Sequence, residues 1–379
     1  MVLIGGGHAH VAVIRSYGLK RWPNTKLTVI SKDVQTPYSG MLPGWIAGHY
    51  QYNDCHINLQ PLCQWAGVRL IHDEVIDLKP ETKQIVCKSN PAIHYDATSL
   101  DTGSQSGISA VPGAESSGIG VKPIDSFMDE WLSLCETLTS RQKQTKAQGN
   151  KAPPFTIAIV GGGAAGVEVC LAMQHRLRSL SEAHSNDDNA DSAQFILISS
   201  AESLLESHNQ GVQRYFQRVC AQQGIDLKLN AKCIGIEGDW LQLENTPEIT
   251  ANFVVWALPA QAQHWLSGSG LSCDSRGFVS VNPFLQSHSH PEVFAAGDNA
   301  SLSPEVAKSG VYAVRQGPIL AENLHRFCTG KPLKTYKPQR KFLSLISTGS
   351  KHAIASRGSL AISGKWLWWL KDTIDSAFM

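Results

Sequence analysis

Two six-residue stretches carry residue types suited to chemistry: GGGHAH at Gly5–His10 and GGGAAG at Gly161–Gly166. Three glycines followed by His-x-His admit two readings. Bare backbone at the start of a helix offers free N–H groups to an anionic phosphate. Alternatively, His8 and His10 could clip a metal ion. Residues i and i+2 share a face on a strand, but at a helix start they point apart. No nearby cysteine or carboxylate completes a set of three or four ligands. A helix N-terminus also disfavours an imidazolium, so both histidines are expected to be neutral and no metal is assigned. His288 and His290, just before Pro291, read as a solvated turn rather than a ligand pair.

The elements around the two stretches are alike. The apolar run Val2–Ile4 leads into the first, a helix is expected over Ala9–Gly18, and KLTVIS (Lys26–Ser31) reads as a strand by its β-branched content. FTIAIV (Phe155–Val160) leads into the second, followed by a helix over Val167–Leu180 and the strand QFILIS (Gln194–Ser199). Strand, glycine turn, helix, strand is a βαβ unit and implies a parallel sheet. Two such units predict an α/β chain with two Rossmann-like dinucleotide-binding domains.

In Gly-x-Gly-x-x-Gly the first glycine makes the turn and the second lets backbone approach a pyrophosphate. The third lets helix lie close on strand. Gly161, Gly163 and Gly166 meet all three needs. The N-terminal copy has Gly5, Gly6 and Gly7 followed by His8, but His10 stands where the third glycine belongs. Close contact there must be made another way. Ser31 and Ser199 stand where an acidic residue usually holds the ribose hydroxyls. Each can bond one hydroxyl, and neither NADH nor NADPH is favoured.

The remaining features bound the class. A chain of 379 residues with 42% apolar content suits two or three domains. A net charge of +1 gives no electrostatic case for nucleic acid. No apolar run approaches the roughly 18 residues of a membrane span, and the N-terminal run breaks at Gly5, too early for a secretory signal. Nine scattered cysteines without Cys-x-x-Cys read as reduced thiols, so a soluble cytoplasmic protein is expected. Ser140–Pro154 is basic and polar and ends in Pro-Pro, which reads as a linker. Glu182–Ala193 reads as a polar surface loop.

Together with the two fingerprints, LDTGS (Leu100–Ser104) and VFAAGDNA (Val293–Ala300) resemble the flavoproteins with two dinucleotide-binding domains. TPYSGMLPGWIAGHY (Thr36–Tyr50), GVYAVRQGPILAENL (Gly310–Leu324) and SGKWLWWLKDTIDSAFM (Ser363–Met379) narrow the resemblance to the branch related to type II NADH dehydrogenases. They are most similar to the oxidoreductase module often fused ahead of selenide, water dikinase. No kinase follows Met379, so the chain is expected to be the oxidoreductase alone.

The resemblance implies FAD in a first domain (1–125 and 276–335), NAD(P)H in an inserted domain (153–275) and a C-terminal segment (336–379) over the flavin. It places Asp298 on the ribityl or pyrophosphate region, with Gly297 permitting close approach and Thr102 and Gly103 at the crossing between domains. In the equivalent second crossing, Leu258-Pro259 replaces the usual Thr-Gly. Glu168 is implied at the nicotinamide or flavin edge, or else it is a helix-start carboxylate. Lys308 is the candidate for charge near the flavin, with Gln316 nearby, and Tyr38 and Leu42 would flank the ring. His49 reads as a partly buried, satisfied histidine before a proton relay. The region of Ser39–Gly44 lacks the Cys-x4-Cys of disulfide reductases, and Cys55 and Cys63 come later.

Two function classes follow. The first is an FAD-dependent NAD(P)H oxidoreductase passing electrons to a quinone or other small acceptor. The second is a non-catalytic flavin module, a redox sensor or a partner in selenium metabolism; a sulfide:quinone-type reductase is a further alternative. Trp366, Trp369, Leu370, Ile374, Ala377 and Phe378 form one helical stripe. It could lie on an inner-membrane surface, giving access to quinone, but it is expected rather to cover the flavin domain or a second subunit.

Overall fold

The computed structural model describes residues 1–147, 154–184, 193–339 and 343–379. One sheet contains β1 (Val2–Ile4), β2 (Thr28–Ser31), β3 (Arg69–His72) and β4 (Thr98–Leu100), joined by the late strand β10 (Val293–Ala295). Its order is β10-β4-β1-β2-β3, with every neighbour parallel. A second sheet contains β5 (Ile119–Gly120), β6 (Thr156–Val160), β7 (Gln194–Ile198), β8 (Asp226–Lys228) and β9 (Phe253–Trp256). Its order, β5-β9-β6-β7-β8, is also all parallel and repeats the first. Strands covered on both faces read as continuous apolar runs. Accordingly Leu3, Ile4, Ile157, Ala158 and Ile159 are fully buried.

The central strand of each sheet ends in a glycine turn and a helix, α1 (His8–Leu19) after β1 and α4 (Ala164–His184) after β6. Both helices start earlier than their apolar periodicity suggested, because the glycine turn delivers the chain directly into the first helical turn. All strands of the second sheet fall between β4 and β10 in the chain, and Ile119–Gly120, expected in the first unit, pairs with the second.

Residues 140–147 of the stretch read as a linker are helix. Helix α3 (Ile124–Ala147) is anchored by buried Phe127, Met128, Trp131, Leu134 and Leu138. Its continuation is rich in Arg, Gln, Lys and Ala, all good helix formers, so polar composition did not mean an end to structure. Residues 148–153 of that stretch, and most of the polar loop expected at Glu182–Ala193, lie outside the described residues.

A short helix α2 (Leu42–Ile46) and the long α5 (Gly310–Cys328) follow the pattern of their apolar residues. The chain ends in an antiparallel sheet of β11 (Ser344–Thr348), β12 (Ser350–Arg357) and β13 (Leu360–Gly364), then α6 (Lys365–Ser376). The turn at Gly349 sits so close to α4 that a Cβ there would lie 2.3 Å from the Leu171 carbonyl oxygen. Helix α6 buries Leu367, Trp368 and Asp375 and leaves Trp366, Trp369 and Leu370 exposed. The expected stripe is therefore split within this chain: its Trp366, Trp369, Leu370 and Ala377 are exposed, while Ile374 and Phe378 are partly buried and Phe378 packs near Tyr38. Among the described residues no helix is long and apolar enough to cross a membrane.

Candidate active site

The two glycine turns share topology but differ in what occupies them. In the second, a Cβ on Gly166 would lie 1.9 Å from the Gly161 carbonyl oxygen, so helix and turn touch there as the motif requires. Gly163 faces open space, with nothing within 4 Å of a Cβ built on it. That is the space a diphosphate needs.

In the first turn His10 replaces the third glycine, and its ring makes the contact the glycine would have allowed. His10 Nδ1 is 2.7 Å from the Gly5 carbonyl oxygen and Nε2 is 2.9 Å from Ser99 Oγ. The carbonyl can only accept, so Nδ1 donates and Nε2 accepts the Ser99 hydroxyl. Burial holds both His8 and His10 down at about 4, so both rings are neutral, as expected at a helix start. Unlike His10, His8 is free: its buried Nε2 has no partner among the described residues.

A residue that sequence reasoning passed over fills the space beside Gly7. The carboxylate of Asp101, the first residue after β4, accepts the N–H groups of Ala9 at 2.9 Å and His10 at 3.2 Å. A Cβ on Gly7 or on Gly297 would lie 2.3 Å from this carboxyl group. Burial, with the charge of Asp298 adding, pushes Asp101 up to about 7, although the two N–H donors pull the other way. The signal was the Asp of LDTGS, standing where the ATGS pattern has Ala.

The other residues expected at the first cradle gather around it. Gly103 has a left-handed φ of +74° and open space at its Cα. The Thr102 hydroxyl donates to Asn299 Oδ1 at 3.2 Å, and Gly297 N–H donates to Gln316 Oε1 at 2.6 Å, leaving the buried Gln316 Nε2 without a hydrogen-bond partner among the described residues. Asp298 is held by Lys122 and by the Ser104 hydroxyl at 2.6 Å. Burial pushes its carboxyl up, but Lys122 and Ser104 outweigh that and hold it below the usual range. Neither Lys122 nor Asn299 was anticipated. Lys308 turns to the Ala300 carbonyl at 2.6 Å and over the Phe278 ring at 3.9 Å, and burial brings it down to about 8.

The serines at the strand ends turn inward. Ser31 Oγ donates to the Asp33 carbonyl at 2.6 Å, and Ser199 Oγ accepts from Ala201 N–H at 3.2 Å. Each also closes on the middle glycine of its turn, where a Cβ would meet the hydroxyl oxygen at 3.1 Å for Gly6 and 2.4 Å for Gly162.

Tyr38 joins the first cradle to the C-terminal segment. Its ring centre is 4.9 Å from that of His8 and 5.8 Å from that of Phe378. Leu42 is buried beside it at the start of α2. Glu168, partly buried in α4, accepts the Ser347 N–H of β11 at 2.7 Å. Burial raises its carboxyl, with Lys371 opposing. Lys371 of α6 pairs with Asp375 and donates to the Gly40 carbonyl at 2.6 Å. Glu168 is thus a tie between the second fingerprint helix and the C-terminal sheet. His49 is partly buried and satisfied by the Gly349 carbonyl at 2.9 Å. Cys55 and Cys63 are buried and pushed up to about 12 and about 11 by burial, with Asp54 adding at Cys55, so both are protonated thiols near neutral pH.

Two parallel sheets, each with a glycine turn at its central strand, define a scaffold with two folds of the dinucleotide-binding type in one chain. The open Gly163, the open Gly103 and the partnerless polar atoms of His8 and Gln316 fit such ligands. Residues 1–317 match the family described as pyridine nucleotide-disulphide oxidoreductase, and the chain belongs to that family. It is an NAD(P)H oxidoreductase of a family whose cofactors are FAD and NAD(P)H. It is 21% identical to the NADH dehydrogenase-like protein YutJ of Bacillus subtilis, over 93% of this chain and 90% of that protein. It is 26% identical to a type II NADH:quinone oxidoreductase of Haemophilus influenzae, over 59% of this chain and 52% of that protein. Its fold is that of NDH2 from Plasmodium falciparum, solved in complex with NADH. The TM-score is 0.80 at 14% identity, covering 99% of this chain and 97% of that one.

Proposed function

We propose that this enzyme takes hydride from NAD(P)H and delivers electrons to a quinone or a similar flat, small acceptor. FAD would supply the redox chemistry, accepting hydride and releasing electrons onward. Gly5, Gly6, Gly7 and His8 would hold its diphosphate end, with Ser31 at the ribose. Thr102, Gly103, Gly297, Asp298 and Gln316 would line its middle, and Tyr38 and Leu42 its ring. Gly161, Gly163, Gly166 and Ser199 would seat NAD(P)H. Lys122, rather than Lys308, is the cation bound to Asp298 and keeps that carboxylate charged. On this reading the FAD domain is 1–125 and 276–335 around an NAD(P)H domain of 153–275, the Ile119–Gly120 strand apart.

The observation that carries the choice of acceptor is a cleft of about 360 Å³ between α6 and the Met41–Asp54 stretch. Met41, Trp368, Trp369 and Met379 give it apolar walls, His49, Tyr50, Asp54, Lys351, Asp372 and Ser376 form a polar side, and Lys351 Nζ lies 5.1 Å from the Trp368 ring centre. Thioether and indole walls suit a flat apolar ring, and a nearby ammonium suits its carbonyl oxygens. Met41 lines the cleft and its N–H donates to the Tyr38 carbonyl at 3.0 Å, so the cleft would adjoin the proposed ring site. The exposed Trp366, Trp369 and Leu370 would lay the mouth of the cleft against a membrane surface where quinones dissolve. A named relative acts on quinone. The protonated Cys55 and Cys63 weigh against disulfide or sulfide chemistry.

NADH oxidation by the purified protein, measured with a short-chain quinone, with a disulfide and with no acceptor, tests this choice. Stimulation by quinone alone is expected, with loss of that stimulation in Trp368→Ala. Equal rates with all three would reject the quinone assignment.

A further inference from the structure

The chain carries its own control for the first cradle. Leu100 of β4 lies beside Ile4 of β1 as Trp256 of β9 lies beside Val160 of β6. The next residues, Asp101 and Ala257, are therefore equivalent. Where Ala257 stands, Gly163 is open; where Asp101 stands, the matching Gly7 is filled by a carboxyl group. That carboxyl takes the Ala9 and His10 N–H groups of α1, while the His8 N–H has no acceptor among the described residues. The positive end of α1 is thus shared between an internal acid and any bound diphosphate.

We propose that Asp101 is a positioning residue that couples FAD loading to a proton: its carboxyl occupies part of the α1 terminus and is neutral when the diphosphate is seated there. The inference rests on the reading that FAD binds this cradle. A carboxylate and a diphosphate at one helix end repel each other, and a neutral carboxyl can instead donate to a phosphate oxygen. The charged and titratable groups facing Asp101 leave it to do the titrating. His8 and His10 on α1 are neutral imidazoles. Asp298 on the neighbouring turn is kept ionised by Lys122. Lys308, ahead of α5, is spent on the Ala300 carbonyl. Burial holds the Asp101 carboxyl up at about 7, so a diphosphate that raises it further draws in a proton above that pH. Each unit by which the bound value exceeds the free one weakens FAD binding about tenfold as pH rises past both.

The test is FAD affinity of the full chain, freed of flavin, from pH 6 to 9, read by quenching of FAD fluorescence. Wild type should lose about tenfold or more in affinity over this range. Asp101→Asn, which keeps the acceptor for Ala9 and His10, should lose much less, and Lys308→Met should keep the wild-type slope. A flat wild-type profile, or the same slope in Asp101→Asn, would overturn the coupling. Should Asp101→Asn fail to fold, wild-type calorimetry at pH 8 in two buffers of different ionisation enthalpy decides. Proton uptake on FAD binding supports the coupling, and none overturns it. Absence of FAD binding at every pH would overturn the cofactor reading itself, and the coupling with it.

Discussion

Gly163→Ala separates folding from binding. A Cβ at this position meets nothing within 4 Å, and Gly163 is not in the left-handed region. The methyl therefore costs the folded chain no contact. Restricting the unfolded chain should even stabilise by about 0.4–1 kcal/mol. The same methyl stands where a diphosphate oxygen must approach backbone N–H groups at hydrogen-bond distance. Losing one charge-assisted bond removes about 1.5–3 kcal/mol, which is roughly 10- to 150-fold in affinity. The assay pairs a thermal melt with the Kd for NADH and NADPH. The expected result is an unchanged or slightly higher Tm with at least tenfold weaker nucleotide binding and normal flavin content. Gly166→Ala, by contrast, forces a Cβ to 1.9 Å from the Gly161 carbonyl and should destabilise by about 1–3 kcal/mol. A Gly163→Ala protein with a Tm several degrees lower, or with undiminished nucleotide affinity, would refute the assignment of the second cradle.

His10→Gly restores the three-glycine pattern, yet it should destabilise by about 1–3 kcal/mol in denaturant unfolding, because it deletes the bonds to Gly5 and Ser99. Since the folded value of His10 is depressed from 6.5 to about 4, the unfolded chain binds more protons between those values; wild-type stability should fall as pH drops through that window, and less so in the variant. Glu168 has the opposite sign. Its raised folded value means stability present in acid is lost as pH rises above 4.5, so Glu168→Gln should flatten that fall in the Tm–pH curve while keeping an acceptor for Ser347. Lys371→Met leaves Asp375 buried without its cation and should cost about 3 kcal/mol, read in denaturant unfolding.

Local pattern sufficed for the two βαβ units, because strand, glycine turn and helix are set by neighbouring residues. The neutral state of His8 and His10 was expected from the helix start, but burial is what holds both rings neutral. What escaped was set by distant chain. Asp101 meets Gly7 and Gly297 only because β4 lies between β1 and β10, so the carboxyl in the first cradle depends on strand order. Lys122 reaches Asp298 across 176 positions, and Glu168 finds Ser347 across 179. Residues 140–147 of the linker stretch are helical for another reason: a polar tail of good helix formers continues a helix whose apolar half is already anchored. On α6 the fold buries Leu367, Trp368 and Asp375 most deeply, and of the expected stripe only Ile374 and Phe378 are partly covered within the chain.

The central claim is that two cradles in one chain serve a single electron path from nicotinamide to flavin. Anaerobic stopped-flow mixing of the FAD-loaded protein with NADH or NADPH tests it, followed at about 450 nm, where oxidised flavin absorbs. Rapid bleaching within a catalytic turnover, slowed at low nucleotide concentration in Gly163→Ala, is the predicted result. A flavin that stays oxidised with both nucleotides would contradict the account.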